Sequence, residues 1–129
     1  MVAHGTIAFD TLTTSDQVNT GTEKSLDTSY IFNGVAKFFS RTASDGASTN
    51  DSFNQSGLTD TASGRQDFAF TNAMSSTNYV AHVQPHDGFA NEPAVNTIAT
   101  TGFRGDCNDD TAGDRQDVSQ GNTVHGDLA

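Results

Sequence analysis

At 129 residues the chain has the length of one domain, and its 16 acidic against 6 basic residues give a formal net charge of −10. That balance argues against phosphate-driven nucleic-acid binding, which needs clustered Lys and Arg, and against docking on an anionic membrane. Thr, Ser, Asn, Asp and Gly fill about half of the positions and only 33% are hydrophobic, which suits strands and turns rather than helices.

No window of about 12 residues repeats apolar side chains at helical spacing. No segment approaches the roughly 18 apolar residues of a membrane insertion. Met1-Val2-Ala3-His4-Gly5 has neither the basic start nor the apolar run of a secretory signal. The expectation is a protein folded and assembled in a cytoplasm. Cys107 is the one cysteine, so no internal disulfide forms.

In chain order, Thr6–Leu12 alternates weakly and reads as a first strand. Residues 1–24 read as an amino-terminal docking arm on a single domain spanning 1–129. Val2, Ile7 and Phe9 are its candidate partner-binding residues, acting by strand addition. Thr13–Lys24 is polar and reads as a loop. From Thr28 to Arg41 the apolar pattern resumes with Tyr30, Phe32 and Val35-Ala36-Lys37-Phe38-Phe39. Asn33-Gly34 inside it is a hairpin signal or, as the flanks favour, a bulge in one long strand.

Ala43–Asn50 is a loop by composition, and Phe53 is expected to return to the core. Thr61-Ala62-Ser63-Gly64 turns the chain into Gln66–Phe70, where bulky side chains fall on every second residue. Asn78–Val83 repeats that alternation with Tyr79, Ala81 and Val83, and Pro85 closes it. Ala94–Phe103 reads as a strand of ambiguous face, Arg104–Asp117 as an acidic solvated loop, and Val118–Leu128 as a closing strand.

Six or seven short strands separated by turns predict an all-β fold, a small antiparallel β-sandwich, jelly-roll-like. The predicted core is Phe38, Phe39, Phe53, Phe68, Phe70 and Tyr79. It is thin for this length, so burial is expected to be completed against other subunits.

Particular residues carry a resemblance. Asn33-Gly34-Val35-Ala36-Lys37-Phe38-Phe39 resembles the NGxAKxW-type strand of small domains in bacteriophage tail-fibre and related virion proteins. Asp51-Ser52-Phe53-Asn54 with Gly57-Leu58-Thr59-Asp60 is similar to that family's DSFNVSSLTDNGTGDYTVNF phrase. Arg65–Phe70 stands in the place of its GDYTVNF strand. Asn72-Ala73-Met74 and Asn78-Tyr79-Val80 resemble its TxAMxxxNYxV phrase, and Val124–Ala129 its closing V(F/H)GDLA. Similar domains are common in marine cyanophages.

The resemblance implies a virion structural protein, located on the particle after assembly in the host cytoplasm. Its implied partners are other virion proteins, two further copies in a homotrimer, and a host surface glycan or receptor. The length suits a fibre tip, a tail accessory or a capsid-decorating protein. The alternative function is a carbohydrate- or receptor-binding adhesion module.

Four constellations bear on chemistry. Asp106, Asn108, Asp110 and Asp117 have the oxygen-ligand spacing of a calcium loop, although Thr111 stands where the sharp turn needs Gly. This makes calcium the single candidate cofactor. His82 and His86 have a zinc-like spacing interrupted by Pro85. Arg104-Gly105-Asp106 spells an adhesion tripeptide, a short pattern that recurs by chance. No nucleophile elbow or organised acid–base pair is present in the sequence, and Cys107 reads as a small buried residue. The expectation is a protein without enzymatic activity.

Overall fold

The computed structural model describes residues 11–13, 25–27, 34–86, 91–109 and 114–129. Two compact units divide the chain, 1–35 and 36–129. In the first, β1 (Thr11–Thr13) pairs antiparallel with β2 (Ser25–Asp27), Leu12 opposite Leu26. The proposed docking residues Val2, Ile7 and Phe9 lie outside the described residues.

The second unit holds eight strands in two four-stranded antiparallel sheets. They are β3 (Phe38–Thr42), β4 (Thr49–Phe53), β5 (Gln55–Ala62), β6 (Arg65–Phe70), β7 (Val80–Pro85), β8 (Asn91–Ala99), β9 (Gly102–Asp109) and β10 (Gln120–His125). One sheet has the order β4-β3-β10-β7, the other β5-β6-β9-β8. This is the all-β sandwich that the period-two patterns predict. The hairpins β3-β4, β5-β6 and β8-β9 each stay within one sheet, so the likeness to a jelly roll ends at two layers of four strands.

Several boundaries differ from expectation. The expected long strand 28–41 does not run through Gly34. Gly34–Lys37 lie outside any strand, and β3 starts at Phe38. Pro93 sits inside β8, which is tolerated because β8 is an edge strand whose free side needs no donor. The expected acidic loop from Arg104 is strand β9 as far as Asp109. Within it Asp106 pairs with Arg65 and Arg115, and Arg104 pairs with Asp67.

Two residues shape the crossovers and turns. Asn54, between β4 and β5, adopts the left-handed region at φ 61° and lets one strand run bend from the first sheet into the second. Its Nδ2 donates to Lys37 O at 2.9 Å and its Oδ1 accepts from Asn72 N at 2.7 Å, so the bend is clamped from both sides. Gly64 turns the β5-β6 hairpin at φ 64°, where a Cβ would fall 2.4 Å from Cys107 O.

The apolar core lies between the layers. Phe38 from the first sheet meets Phe68 and Phe103 of the second edge-on, at 6.0 and 5.6 Å, while Phe68 and Phe103 stack at 4.9 Å. Phe70, Tyr79, Met74, Val83, Val118, Val124 and Cys107 complete it. The Tyr79 hydroxyl lies 3.0 Å from Ala99 O and 2.8 Å from Gly102 O, tying the entry to β7 onto the β8-β9 turn. Phe39 and Phe53, expected inside, are outside. Once Phe38 faces inward the strand period turns Phe39 outward, and Phe53 is its register partner.

The closing residues pair back onto the segment after β6. Met74 bridges Leu128, Ser75 N donates to Asp127 O at 2.8 Å, and Ala129 N donates to Ala73 O at 2.9 Å. Two of the family-like phrases, Asn72–Met74 and Val124–Ala129, are thus neighbours in space.

Candidate functional site

The outer face of the β4-β3-β10-β7 sheet is built from cross-strand rows. Phe53, Phe39, Thr123 and His82 are successive register partners across its four strands. The two phenyl rings stack 6.3 Å apart, interplanar angle 19°, and remain 54% and 38% exposed. The next row is Asp51, Arg41, Gly121 and Gln84. His86 folds over Gly121, where a Cβ would fall 2.6 Å from its Nε2. His82 is exposed on the same face as the aromatic pair. Val80, 57% exposed, is opposite His125 at one side of the row. Every residue of β4 is exposed, and β4 is an edge strand with unpaired backbone groups on its free side.

The outer face of the other sheet is polar. Arg104 on β9 makes a two-point ion pair with Asp67 on β6, Nε–Oδ1 2.5 Å and Nη2–Oδ2 2.7 Å, and the carboxylate raises the guanidinium pKa. A shallow groove of about 230 Å³ runs beside this pair, lined by Thr59, Asp67, Thr97, Thr101 and Arg104 among others.

Asp106 is 2% exposed. Arg65 Nε lies 3.3 Å from its Oδ1, Arg115 Nη2 lies 3.5 Å from its Oδ2, and Asn96 Nδ2 donates to Oδ2 at 2.8 Å. Burial by itself raises its pKa. The Asn96 hydrogen bond and the two guanidinium groups outweigh that and hold the carboxyl below the usual range.

The residues of the calcium-like spacing have different surroundings. Asp117 Oδ1 accepts from Gly64 N at 2.6 Å, Asn108 bridges Arg115 through the backbone, and Asp110 lies outside the described residues. Among the described residues, no group of three or more His, Cys, Asp or Glu side chains is arranged to hold a metal ion. The Arg104-Gly105-Asp106 tripeptide is strand backbone with its carboxylate buried and its guanidinium paired. An integrin-type contact would need both ends free. Cys107 is fully buried, and burial together with neighbouring Asp106 pushes its thiol up to about 11.

One arrangement has no signal in the sequence. The inner faces of the sheets carry Ser40, Thr42, Gln66, Gln120 and Asn122, none more than 2% exposed. Both amide atoms of Gln66, Gln120 and Asn122, and the Ser40 hydroxyl, find no hydrogen-bond partner among the described residues. Seven such atoms, left bare at about 1–3 kcal/mol each, would match the roughly 5–15 kcal/mol that holds a whole domain folded.

Comparison with protein-family models, with curated proteins and with solved structures returns no match. The fold and faces above define a small two-layer β-sandwich with an aromatic outer face on one sheet and a charged one on the other.

Proposed function

We propose that this chain is a bacteriophage virion structural protein. In this reading it assembles as a homotrimer on the particle, among other virion proteins, contacts the host surface, and catalyses no reaction. The observation that carries the reading is the exposed Phe39–Phe53 stack beside the wholly exposed edge strand β4. Stacked aromatics next to unpaired strand backbone are suited to burial against another subunit. The fibre-like wording of Asp51–Val83 and Val124–Ala129 supports the same reading.

The test is location. Gold-labelled antibody against the chain should decorate intact particles of a phage that encodes it, at the shell for a decorating protein or at the tail for an attachment protein. Particles without label, with the chain found only in the infected-cell lysate, would sink the proposal.

The groove beside the Asp67–Arg104 pair, largely apolar with charged and threonine groups along it, favours a second reading, glycan binding on the β5-β6-β9-β8 face. A glycan array that loses its signal with Arg104→Ala, assembly being unchanged, would promote it over the first.

A further inference from the structure

Three carboxamides and a hydroxyl converge between the sheets at the end away from the phenyl cluster. Ser40 and Asn122 are register partners on β3 and β10. Gln120 lies two residues earlier on β10, its backbone N–H donating to the Thr42 hydroxyl at 3.2 Å. From the opposite layer Gln66 enters beside its register partner Gly105. Gly105 has no side chain of its own, and a Cβ built there would lie 3.5 Å from Gln120 Oε1, so the amide packs close against the Gly105 backbone. Gln120 therefore reaches across the interlayer space to the place beside Gln66. The outer end is closed by Gly46, whose Cβ position is 3.1 Å from both Gln66 Nε2 and Asp117 Oδ1. On the inner side Phe68 and Val83 border the same space at 3.4 and 3.1 Å from the Gly105 Cβ position.

We infer that the region among these side chains is a buried hydration site, in which a small cluster of ordered waters bridges Gln66, Gln120, Asn122 and Ser40. The donor set selects the ligand. Three carboxamides present as many NH2 groups as carbonyl oxygens, and all six of these atoms lack a partner among the described residues. Water both donates and accepts, so it satisfies both kinds of atom. A metal cation would serve the oxygens and leave three NH2 groups bare. An anion would do the reverse, and an apolar guest would serve neither. Buried waters make about three hydrogen bonds each, so roughly three waters complete the set. The site is independent of the virion reading, because it lies inside the sandwich and not on its faces.

The experiment uses the full chain, labelled with ¹⁵N. Water–protein NOE and ROE spectra are recorded at the side-chain NH2 protons of Gln66, Gln120 and Asn122. The expected result is negative water NOEs at all three groups, the sign of waters held longer than about a nanosecond. Gln120→Met should remove at least one of these cross-peaks while the remaining spectrum is kept. Should that variant fail to fold, the wild-type cross-peaks decide alone. Amide-to-amide NOEs without any water cross-peak would overturn the inference in favour of a dry network. A shift of the three NH2 resonances on exchanging sodium for choline would overturn it in favour of a bound cation.

Discussion

Asp106 shows how a single residue changes meaning between sequence and structure. Its place in the RGD tripeptide and in the calcium-like spacing points outward, whereas its side chain is buried between Arg65, Arg115 and Asn96. Its folded pKa lies below the unfolded carboxylate value of about 3.9. The stabilisation is therefore complete above that value and is lost as pH falls through the lower folded one. Asp106→Asn is expected to lower stability by about 1–3 kcal/mol at neutral pH, the low end reflecting two arginines that still reach water. Urea unfolding should show the gap to wild type narrowing below about pH 4. A gap constant with pH would mean that the carboxylate is not held ionised.

Cys107, one residue on, points to the opposite face of the same strand and is fully buried. With its thiol pushed up to about 11, roughly one thiol in a thousand is ionised near pH 8. A disulfide reagent should label the native protein at least about 100-fold more slowly than the urea-unfolded chain. Equal rates would place the thiol at the surface.

At the scale of elements, Asn54 decides how the sandwich closes. It bends the β4-β5 run from one sheet to the other, and its side chain clamps Lys37 and Asn72 on either side. Asn54→Ala keeps the left-handed backbone without the clamp, at a cost of about 2–3 kcal/mol, which lowers the melting temperature by roughly 10 °C or more. Asn54→Gly loses the clamp but relieves the strain, so it should lose about half as much. Equal losses in the two variants, read by thermal melting, would remove the backbone argument.

The period-two wording of Gln66–Phe70 and Asn78–Val83 made β6 and β7 legible as strands, with Phe68, Phe70, Tyr79 and Val83 inward. β9 was not legible. Its alternate residues Phe103, Gly105 and Cys107 face inward, but two of them are small. Of its other positions, Arg104 and Asp106 are charged, and their partners come from β6, from β8 and from Arg115.

On the scale of the whole molecule, the thin core has an explanation within the chain. The interlayer space is filled by phenyl rings and aliphatic side chains and also by buried amides and hydroxyls. Exposed apolar surface is nevertheless present on the outer face of the β4-β3-β10-β7 sheet, which is where the assembly proposal belongs. Phe53→Ser, paired with Phe39→Ser, is expected to abolish association seen by sedimentation at rising concentration. Both rings are outward, so the melting temperature of the monomer should move by only a few degrees. A wild-type chain that sediments as a monomer throughout would refute assembly through this face.

The sequence by itself determined the class of fold: alternating side chains with frequent turns leave an antiparallel sandwich as the arrangement that buries one face of each strand. It also determined most of the phenyl core, because bulky residues at period two have only one favourable side. Tertiary structure alone decided which of Phe38 and Phe39 faces inward, because adjacent aromatics leave the register open until the partner strand is placed. It alone covered Asp106 with Arg65, Arg115 and Asn96 and placed Gln66, Gln120 and Asn122 between the layers. A polar residue at an inward position has no mark in its own stretch of sequence. Its burial depends on partners that only the fold brings beside it.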